Sequence, residues 1–310
     1  MESPVSHAGG EEPEARTPVV SSGTNLVAGS QSSSRSRLWR PAAQRNLRNQ
    51  WSRLVSCRGR WVSASSEGRA SATALVNAYL SRRYMPEMNL GVLKDMPMIR
   101  ENACEKLERK QELCQRKLLS SYKDLVDAVS QFTKARDSMR CYLKGSSASP
   151  LVQFSQLSQD NDDPGDGGGV PVFTSWALPY FEKLAQELID MFAVEISLKR
   201  LIVLQLLSIA CQDAQGAQAD ERNWSIELYE GEFNDLNTVD LLCRERFQPN
   251  PPRIRGFQSN NPATEQINRN PTRETLHVYL TAWISDVNVD IMRVDEIFGM
   301  VEDEMQLKLS

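Results

Sequence analysis

Apolar residues recur at three- and four-residue steps through much of the chain, and the longest such stretch lies near its centre, between Phe173 and Leu207. Ser175 precedes the stretch as a possible cap, and Pro179 stands where a first helical turn tolerates a missing N–H. The apolar positions are Phe181, Leu184, Leu188, Met191, Leu198 and Ile202. This spacing predicts a helix of roughly thirty residues, about 45 Å long, which needs a partner of similar length to cover it.

A second stretch, from Pro97 to Lys144, has the most regular pattern in the chain. Every seventh residue is apolar at Leu118, Leu125, Phe132 and Met139. A seven-residue repeat predicts a short coiled-coil seam of about four heptads.

Two further stretches show helical spacing, and no stretch shows the alternation of a half-buried strand. The first runs from about Pro41 to Tyr84, with Gly59 and Gly68 as expected weak points. The second starts at Asn270, a possible cap, and extends almost to the C-terminus. We therefore predict an all-α protein: an elongated bundle of long amphipathic and coiled-coil helices.

Composition divides the chain into helical regions and polar segments. Residues 1–40 are rich in Ser, Gly, Pro and Glu and predict a disordered tail, without the features of a signal or transit peptide. Residues 41–144 form an N-terminal helical region, and 145–172 an acidic, Gly-rich linker. Residues 173–310 form a C-terminal helical region with a long internal linker at 211–270. No apolar run approaches the length of a membrane span, so we expect a soluble intracellular protein without membrane contact.

The residues that carry catalysis are scarce. The chain has two histidines, His7 in the tail and His277 alone on a predicted helix, and its six cysteines form no CxxC pair. No phosphate-binding glycine loop and no cluster of metal ligands is present in the sequence. We expect a protein that is not an enzyme and holds no cofactor or metal.

Charge is distributed unevenly between the two ends. Eight arginines and no acidic residue lie between positions 35 and 60: Arg35, Arg37, Arg40, Arg45, Arg48, Arg53, Arg58 and Arg60. Such a stretch fits nuclear import, nucleic-acid binding, or a solvated surface that neutralises the acidic C-terminus. We take the first five of these arginines as a candidate basic patch. Import is favoured over nucleic-acid binding, because no aromatic stacking platform accompanies the arginines.

The central helix also carries a resemblance. The run PVFTSWALPYFEKLAQELIDMFAVEISLKRLIVLQLL resembles the signature helix of the cyclin-dependent kinase 2-interacting protein family. That signature places an aromatic residue and a Trp before the helix and a Leu-Lys-Arg triplet within it. The later run YLTAWISDVNVD is similar to a second block of the family. The matching positions are Phe173, Trp176, Phe181, Leu188, Met191, Leu198, Lys199, Arg200, Tyr279, Leu280 and Trp283.

The resemblance implies a non-catalytic nuclear adaptor with protein partners. It implies links to replication kinases, cell-cycle and DNA-damage checkpoint signalling, and a chromatin-associated AAA-type ATPase complex that serves replisome proteostasis and ribosome maturation. The helix from Pro97 to Lys144 is also similar to a small partner subunit of that complex, which we keep as the second assignment. The candidate partner-binding residues are Phe173, Trp176, Lys199, Arg200 and Trp283, in mixed core and interface roles.

Two other functions are compatible with the residues. A nucleic-acid-binding helical module would use the arginines of 35–60, and a structural coiled-coil homodimer would use the seam from Leu118 to Met139. For the adaptor, we expect charge reversal at Lys199 and Arg200 to weaken partner capture while the chain stays folded.

Overall fold

The fold is all-α, as the sequence predicts. The computed structural model describes residues 27–142, 164–209, 226–239 and 271–309, with side chains from residue 38 onward. These residues form six α-helices and no strand. The helices are α1 (Val27–Tyr84), α2 (Ile99–Asp137), α3 (Leu178–Ser208), α4 (Glu232–Thr238), α5 (Arg273–Ser285) and α6 (Ile291–Met305).

Helices α1 and α2 form a long antiparallel hairpin. At its open end, the side chain of Asn46 donates to the carbonyl of Met139 at 2.9 Å. Further along, the side chains of Arg60 and Asp127 form an ion pair at 3.1 Å. The seven-residue seam of α2 is fully buried within the chain, at Leu118, Leu125, Phe132 and Met139. The seam is therefore covered by helices of this same chain.

Helix α3 packs antiparallel to α2, and α5 and α6 together complete a fourth column. Arg140 near the end of α2 pairs with Glu182 near the start of α3 at 2.8 Å. The indole N–H of Trp283 in α5 donates to the carbonyl of Ser65 in α1 at 2.9 Å. Since α5 and α6 run opposite to α1 and α3, the core is that of an up-down-up-down helix bundle.

Helix α1 is longer and more regular than its sequence pattern predicts. It begins at Val27, ahead of the tail boundary placed at residue 40, and contains Pro41. It also continues through Gly59 and Gly68 without a break. A Cβ atom at Gly68 would lie 2.4 Å from Cζ2 of Trp283, so this glycine allows the indole ring to contact the helix backbone. The remaining tail residues, 1–26, lie outside the described residues.

The last helical region is two helices rather than one. The chain leaves α5 at Asp286, whose φ of 41° lies in the left-handed region, and α6 begins after Asp290. The side chain of Asp290 caps α6 by accepting the N–H of Arg293 at 3.1 Å. At the start of α5 the cap is Thr272, whose hydroxyl accepts the N–H of Thr275 at 3.2 Å. The predicted cap, Asn270, lies outside the described residues.

Parts of both predicted linkers belong to the folded bundle. In the linker at 145–172, Gly167 lies against the ring of Trp39, and the carbonyl of Gly165 accepts the N–H of Cys141 at 3.0 Å. In the linker at 211–270, residues 226–239 contain α4 and pack on α2 and α3. The other residues of these two linkers, 145–163, 211–225 and 240–270, lie outside the described residues.

Among the residues that the structure describes, no helix combines the length and hydropathy that a membrane span requires.

Candidate functional site

The two adjacent basic residues of α3 occupy the core of the bundle. Lys199 and Arg200 follow each other in α3, and both side chains are almost completely shielded from solvent, at 0% and 1% exposure. Successive residues on an α-helix point about 100° apart. The two charges therefore reach different neighbours, Lys199 the junction of α5 and α6, and Arg200 the segment containing α4.

Lys199 is held at the break between α5 and α6. Its ammonium lies 2.7 Å from a carboxylate oxygen of Asp286 and 3.2 Å from one of Glu195. It also donates to the carbonyl of Trp283 at 2.9 Å. The indole rings of Trp283 and Trp61 lie 4.6 Å and 5.9 Å from the ammonium. A cation at the last carbonyls of α5 interacts favourably with the helix dipole.

The carboxylate of Glu195 connects this charge to the turn that follows α5. Its second oxygen accepts both the backbone N–H and the side-chain amide of Asn288, at 2.9 Å and 3.0 Å. The polar groups of the junction are thereby tied to α3, which fixes the position of α6 relative to α5.

Arg200 is held by a carboxylate from α4. Its guanidinium makes two hydrogen bonds to Glu232, at 2.7 Å and 3.1 Å, and one to the carbonyl of Ile226 at 2.8 Å. Glu232 is fully buried and also accepts the hydroxyl of Tyr122 and the N–H of Leu228, each at 2.7 Å. A buried charge pair is tolerated when its remaining hydrogen-bonding positions are satisfied, and here they are.

The tyrosine in this network is a poor acid. Burial, and after it the negative charge of Glu232, raises the pKa of the Tyr122 hydroxyl well above its ordinary value. Tyr122 therefore remains a neutral donor at physiological pH and serves as a hydrogen-bonding partner of the carboxylate.

The aromatic residues before α3 surround a third buried carboxylate. Glu304 of α6 accepts the backbone N–H groups of Thr174, Ser175 and Trp176, at 2.9, 2.6 and 2.8 Å. Burial by itself would raise the pKa of Glu304, but these hydrogen bonds outweigh it and hold the pKa below its ordinary value. Ser175 thus helps to bind Glu304 and is not the cap of α3, whose capping position is Ala177.

The five candidate partner-binding residues are placed mainly inside the molecule. Lys199, Arg200 and Trp283 are fully buried, Phe173 is buried, and Trp176 is half-buried. The expectation that charge reversal at Lys199 and Arg200 leaves the chain folded is therefore corrected. A reversed charge at either position would face the carboxylates that now neutralise it, in a site without water to screen them.

Some arginines of the candidate basic patch bind groups of the same chain. Arg40 donates to the carbonyls of Val172 and Phe173, which ties α1 to the loop before α3. Arg48 is exposed and lies over the ring of Phe173 at 5.3 Å, while Arg45 is exposed. The side chains of Arg35 and Arg37 lie outside the described residues. Further along α1, Arg58 pairs with Asp295 at 2.6 Å and Arg60 with Asp127, so the arginine row partly neutralises acidic residues of the same chain.

A loop at the closed end of the α1–α2 hairpin exposes apolar side chains to solvent. We call residues 85–98 the hairpin loop. It contains two 3-10 turns, Met85–Glu87 and Gly91–Leu93, and large apolar side chains that face solvent: Met88, Val92, Leu93, Met96 and Met98. The guanidinium of Arg100 donates to the carbonyls of Pro86 and Met88, at 2.7 Å and 2.6 Å. The loop is thus held in a defined shape although its apolar side chains are uncovered.

The acidic partners in the core were not identified from the sequence. Glu195, Glu232, Asp286 and Glu304 are four of forty acidic residues, and nothing in their local sequence separates them from solvated ones. The available signal was the Lys-Arg pair within an apolar helix, because charges so placed require buried partners. That signal predicts the existence of such carboxylates and leaves their positions open.

Neither metal chemistry nor a relative of known function is indicated. Among the described residues, no group of three His, Cys, Asp or Glu side chains is placed to hold a metal ion. Neither a scan against protein-family models nor a search of curated proteins gives a match to this chain.

Proposed function

We propose that this protein is a non-catalytic nuclear adaptor that binds other proteins through the hairpin loop at the end of its helix bundle. The partner classes come from the resemblance to the cyclin-dependent kinase 2-interacting protein family: replication kinases, checkpoint factors and subunits of an AAA-type ATPase complex. Five of the positions that carry the resemblance are the candidate partner-binding residues, and in the structure they pack within the bundle: Phe173, Trp176, Lys199, Arg200 and Trp283. The adaptor surface must therefore lie elsewhere.

The observation that supports this surface is the exposure of the hairpin loop. Val92 is 92% exposed, and Met96 and Met98 are more than half exposed. Soluble domains rarely leave neighbouring large apolar side chains uncovered without a binding role. Methionine adapts its flexible side chain to varied apolar partners, which suits a protein that connects several of them.

Helix packing also bears on the structural homodimer. A coiled-coil dimer would need the seam of α2 as its interface, but that seam is already covered by helices of the same chain. The nucleic-acid-binding alternative retains Arg45 and Arg48 as exposed cations, while Arg40, Arg58 and Arg60 bind groups within the protein. These contacts favour the adaptor over both alternatives.

The test is capture of partners from nuclear extract by the tagged full-length chain. We expect an AAA-type ATPase and replication factors to be recovered at both low and high salt, since an apolar interface is not screened by ions. The double variant Val92→Asp/Met96→Asp should lose them. Val62→Asp is the matched control, because Val62 is an apolar residue of α1 that is also exposed.

Two results would contradict the proposal. One is undiminished recovery by the hairpin-loop variant, which would remove the loop as the binding surface. The other is recovery only of nucleic-acid-dependent partners that disappear at high salt, which would move the function to the arginines of α1.

A further inference from the structure

The segment 226–239 occupies a groove between α2 and α3 in the manner of a bound peptide. Its helix, α4, has only seven residues, which is too short to be stable without a supporting surface. On the α2–α3 side it buries Leu228, Leu236 and Val239. In sequence it lies between α3 and α5, separated from them by residues 209–225 and 240–272.

The groove supplies a specific polar anchor for this segment. Arg200 lies at its base and binds the carboxylate of Glu232 with two hydrogen bonds. The guanidinium also lies 5.6 Å from the ring centre of Phe233. The ring of Tyr229 also meets the buried ring of Tyr122 edge-on, with 6.2 Å between the ring centres. A buried arginine that grips one carboxylate, with apolar side chains on either side, is a common design for recognising a short acidic motif.

We infer that the α2–α3 groove is a peptide-binding site, which the chain's own residues 226–239 fill and from which a partner segment of the same chemistry can displace them. The partner would be a short segment with a leucine, a glutamate four residues later that begins a helical turn, an aromatic residue next to the glutamate, and a second leucine three residues after the aromatic residue. These positions correspond to Leu228, Glu232, Phe233 and Leu236. The inference does not depend on the adaptor proposal, since it concerns a different surface and is tested with purified components.

Displacement is governed by competition within the chain. The internal segment belongs to the same chain as the groove and occupies it in the structure, so an added peptide has to compete with it. A substitution that weakens the contacts of the internal segment should therefore strengthen binding of an added peptide. The affinity should increase by the same factor as the fraction of chains in which the groove is free.

The experiment uses the full-length chain and a fluorescently labelled peptide with the sequence of residues 226–239, followed by fluorescence anisotropy. The peptide should bind the Glu232→Gln chain about tenfold or more tightly than the unaltered chain, the change expected for the loss of a charge-assisted hydrogen bond. The Leu236→Ala chain, which loses an apolar anchor instead, should show the same direction of change. Glu230→Gln alters an exposed carboxylate of the same segment and should behave like the unaltered chain.

A peptide that itself carries Glu232→Gln is the specificity control and should bind at least tenfold more weakly to every form of the chain. The inference is overturned if the folded Glu232→Gln and Leu236→Ala chains fail to bind the peptide at millimolar concentration. It is equally overturned if both peptides bind alike. If both variant chains fail to fold, the segment is a permanent part of the folding core and the site does not exchange its occupant.

Discussion

The interior of this bundle and its hairpin loop reverse the usual arrangement of charged and apolar residues. Around α3, the side chains of Lys199 and Arg200 are buried, and their charges are neutralised by the carboxylates of Glu195, Asp286 and Glu232. In the hairpin loop, Val92 and three methionines face solvent on a backbone held by Arg100. Both arrangements are unfavourable in themselves, since buried charges lose their hydration and exposed apolar side chains are not covered. The buried charges restrict how the helices can assemble, and the exposed apolar side chains form the surface through which we propose that partners bind.

The largest loss of stability is expected when one of the buried charges is removed. Arg200→Ala should destabilise the protein by about 3–5 kcal/mol, because Glu232 would be left buried without its cation. The free energy of unfolding in urea measures this loss. Lys183→Ala removes an exposed charge of the same helix and should change that free energy by less than about 0.5 kcal/mol.

A second variant distinguishes the charge pair from the space that it fills. Replacement of both partners, Arg200→Met with Glu232→Leu, should recover part of the lost stability. No uncompensated charge remains, although the Tyr122 hydroxyl and the Leu228 N–H lose their acceptor. If Arg200→Ala proves as mild as Lys183→Ala, the ion pair does not hold α4 against the bundle.

The packing around Lys199 can be tested at a glycine. Gly68→Ala would place a Cβ atom 2.4 Å from Cζ2 of Trp283 and should destabilise the chain by about 1–3 kcal/mol through overpacking. Gly59→Ala is the matched change in the same helix, and no atom lies within 4 Å of its added Cβ. It should stabilise the chain by about 0.5–1 kcal/mol, because alanine is the better helix former. Thermal unfolding of the two variants should therefore shift in opposite directions, and a shift in the same direction would contradict the close contact with Trp283.

A buried charge satisfied by N–H groups should be less costly to alter than one satisfied by a cation. Glu304→Gln removes the negative charge that holds the loop before α3 and should cost about 1 kcal/mol at pH 7, in the range of a capping interaction. The folded-state pKa of Glu304 is lowered from an ordinary value of 4.5. Its stabilisation is accordingly present above about pH 4.5 and is lost as the pH falls through the lower folded-state pKa.

The pH profile of unfolding checks this assignment. The difference between the Glu304→Gln and unaltered chains should be constant from about pH 5 to 7 and shrink at lower pH. A difference that grows as the pH falls would have the wrong sign for a carboxylate with a lowered pKa.

The smallest effect on stability is expected in the hairpin loop. Val92→Asp should change the free energy of unfolding by less than about 0.5 kcal/mol, because the side chain contacts mainly solvent in the unbound chain. Denaturation in urea measures it alongside Arg200→Ala. A loss above about 2 kcal/mol would mean that Val92 is covered by another part of the chain. The hairpin loop would then be a packed region, like the interior around α3.

The sequence by itself determined the helical class and the position of most of the long helices. The periods of the apolar residues in α2 and α3 are local properties, and burial of such a stripe follows wherever the helix finds a partner. The same patterns misplaced ends and interruptions: α1 passes through two glycines, and the last helical region breaks at Asp286. These outcomes depend on Trp283 and Lys199, which approach from distant parts of the sequence.

Only the tertiary structure decided which residues are buried charges and which are surface. The sequence predicts Lys199 and Arg200 as candidate partner-binding residues with mixed core and interface roles, and the structure surrounds them with Glu195, Glu232 and Asp286. The physical reason is that a charge can be buried only where an opposite charge or a set of dipoles is brought to it, and that meeting is a property of the folded chain. The periodicity of a sequence specifies what each helix must cover, and the packing of the helices specifies what covers it.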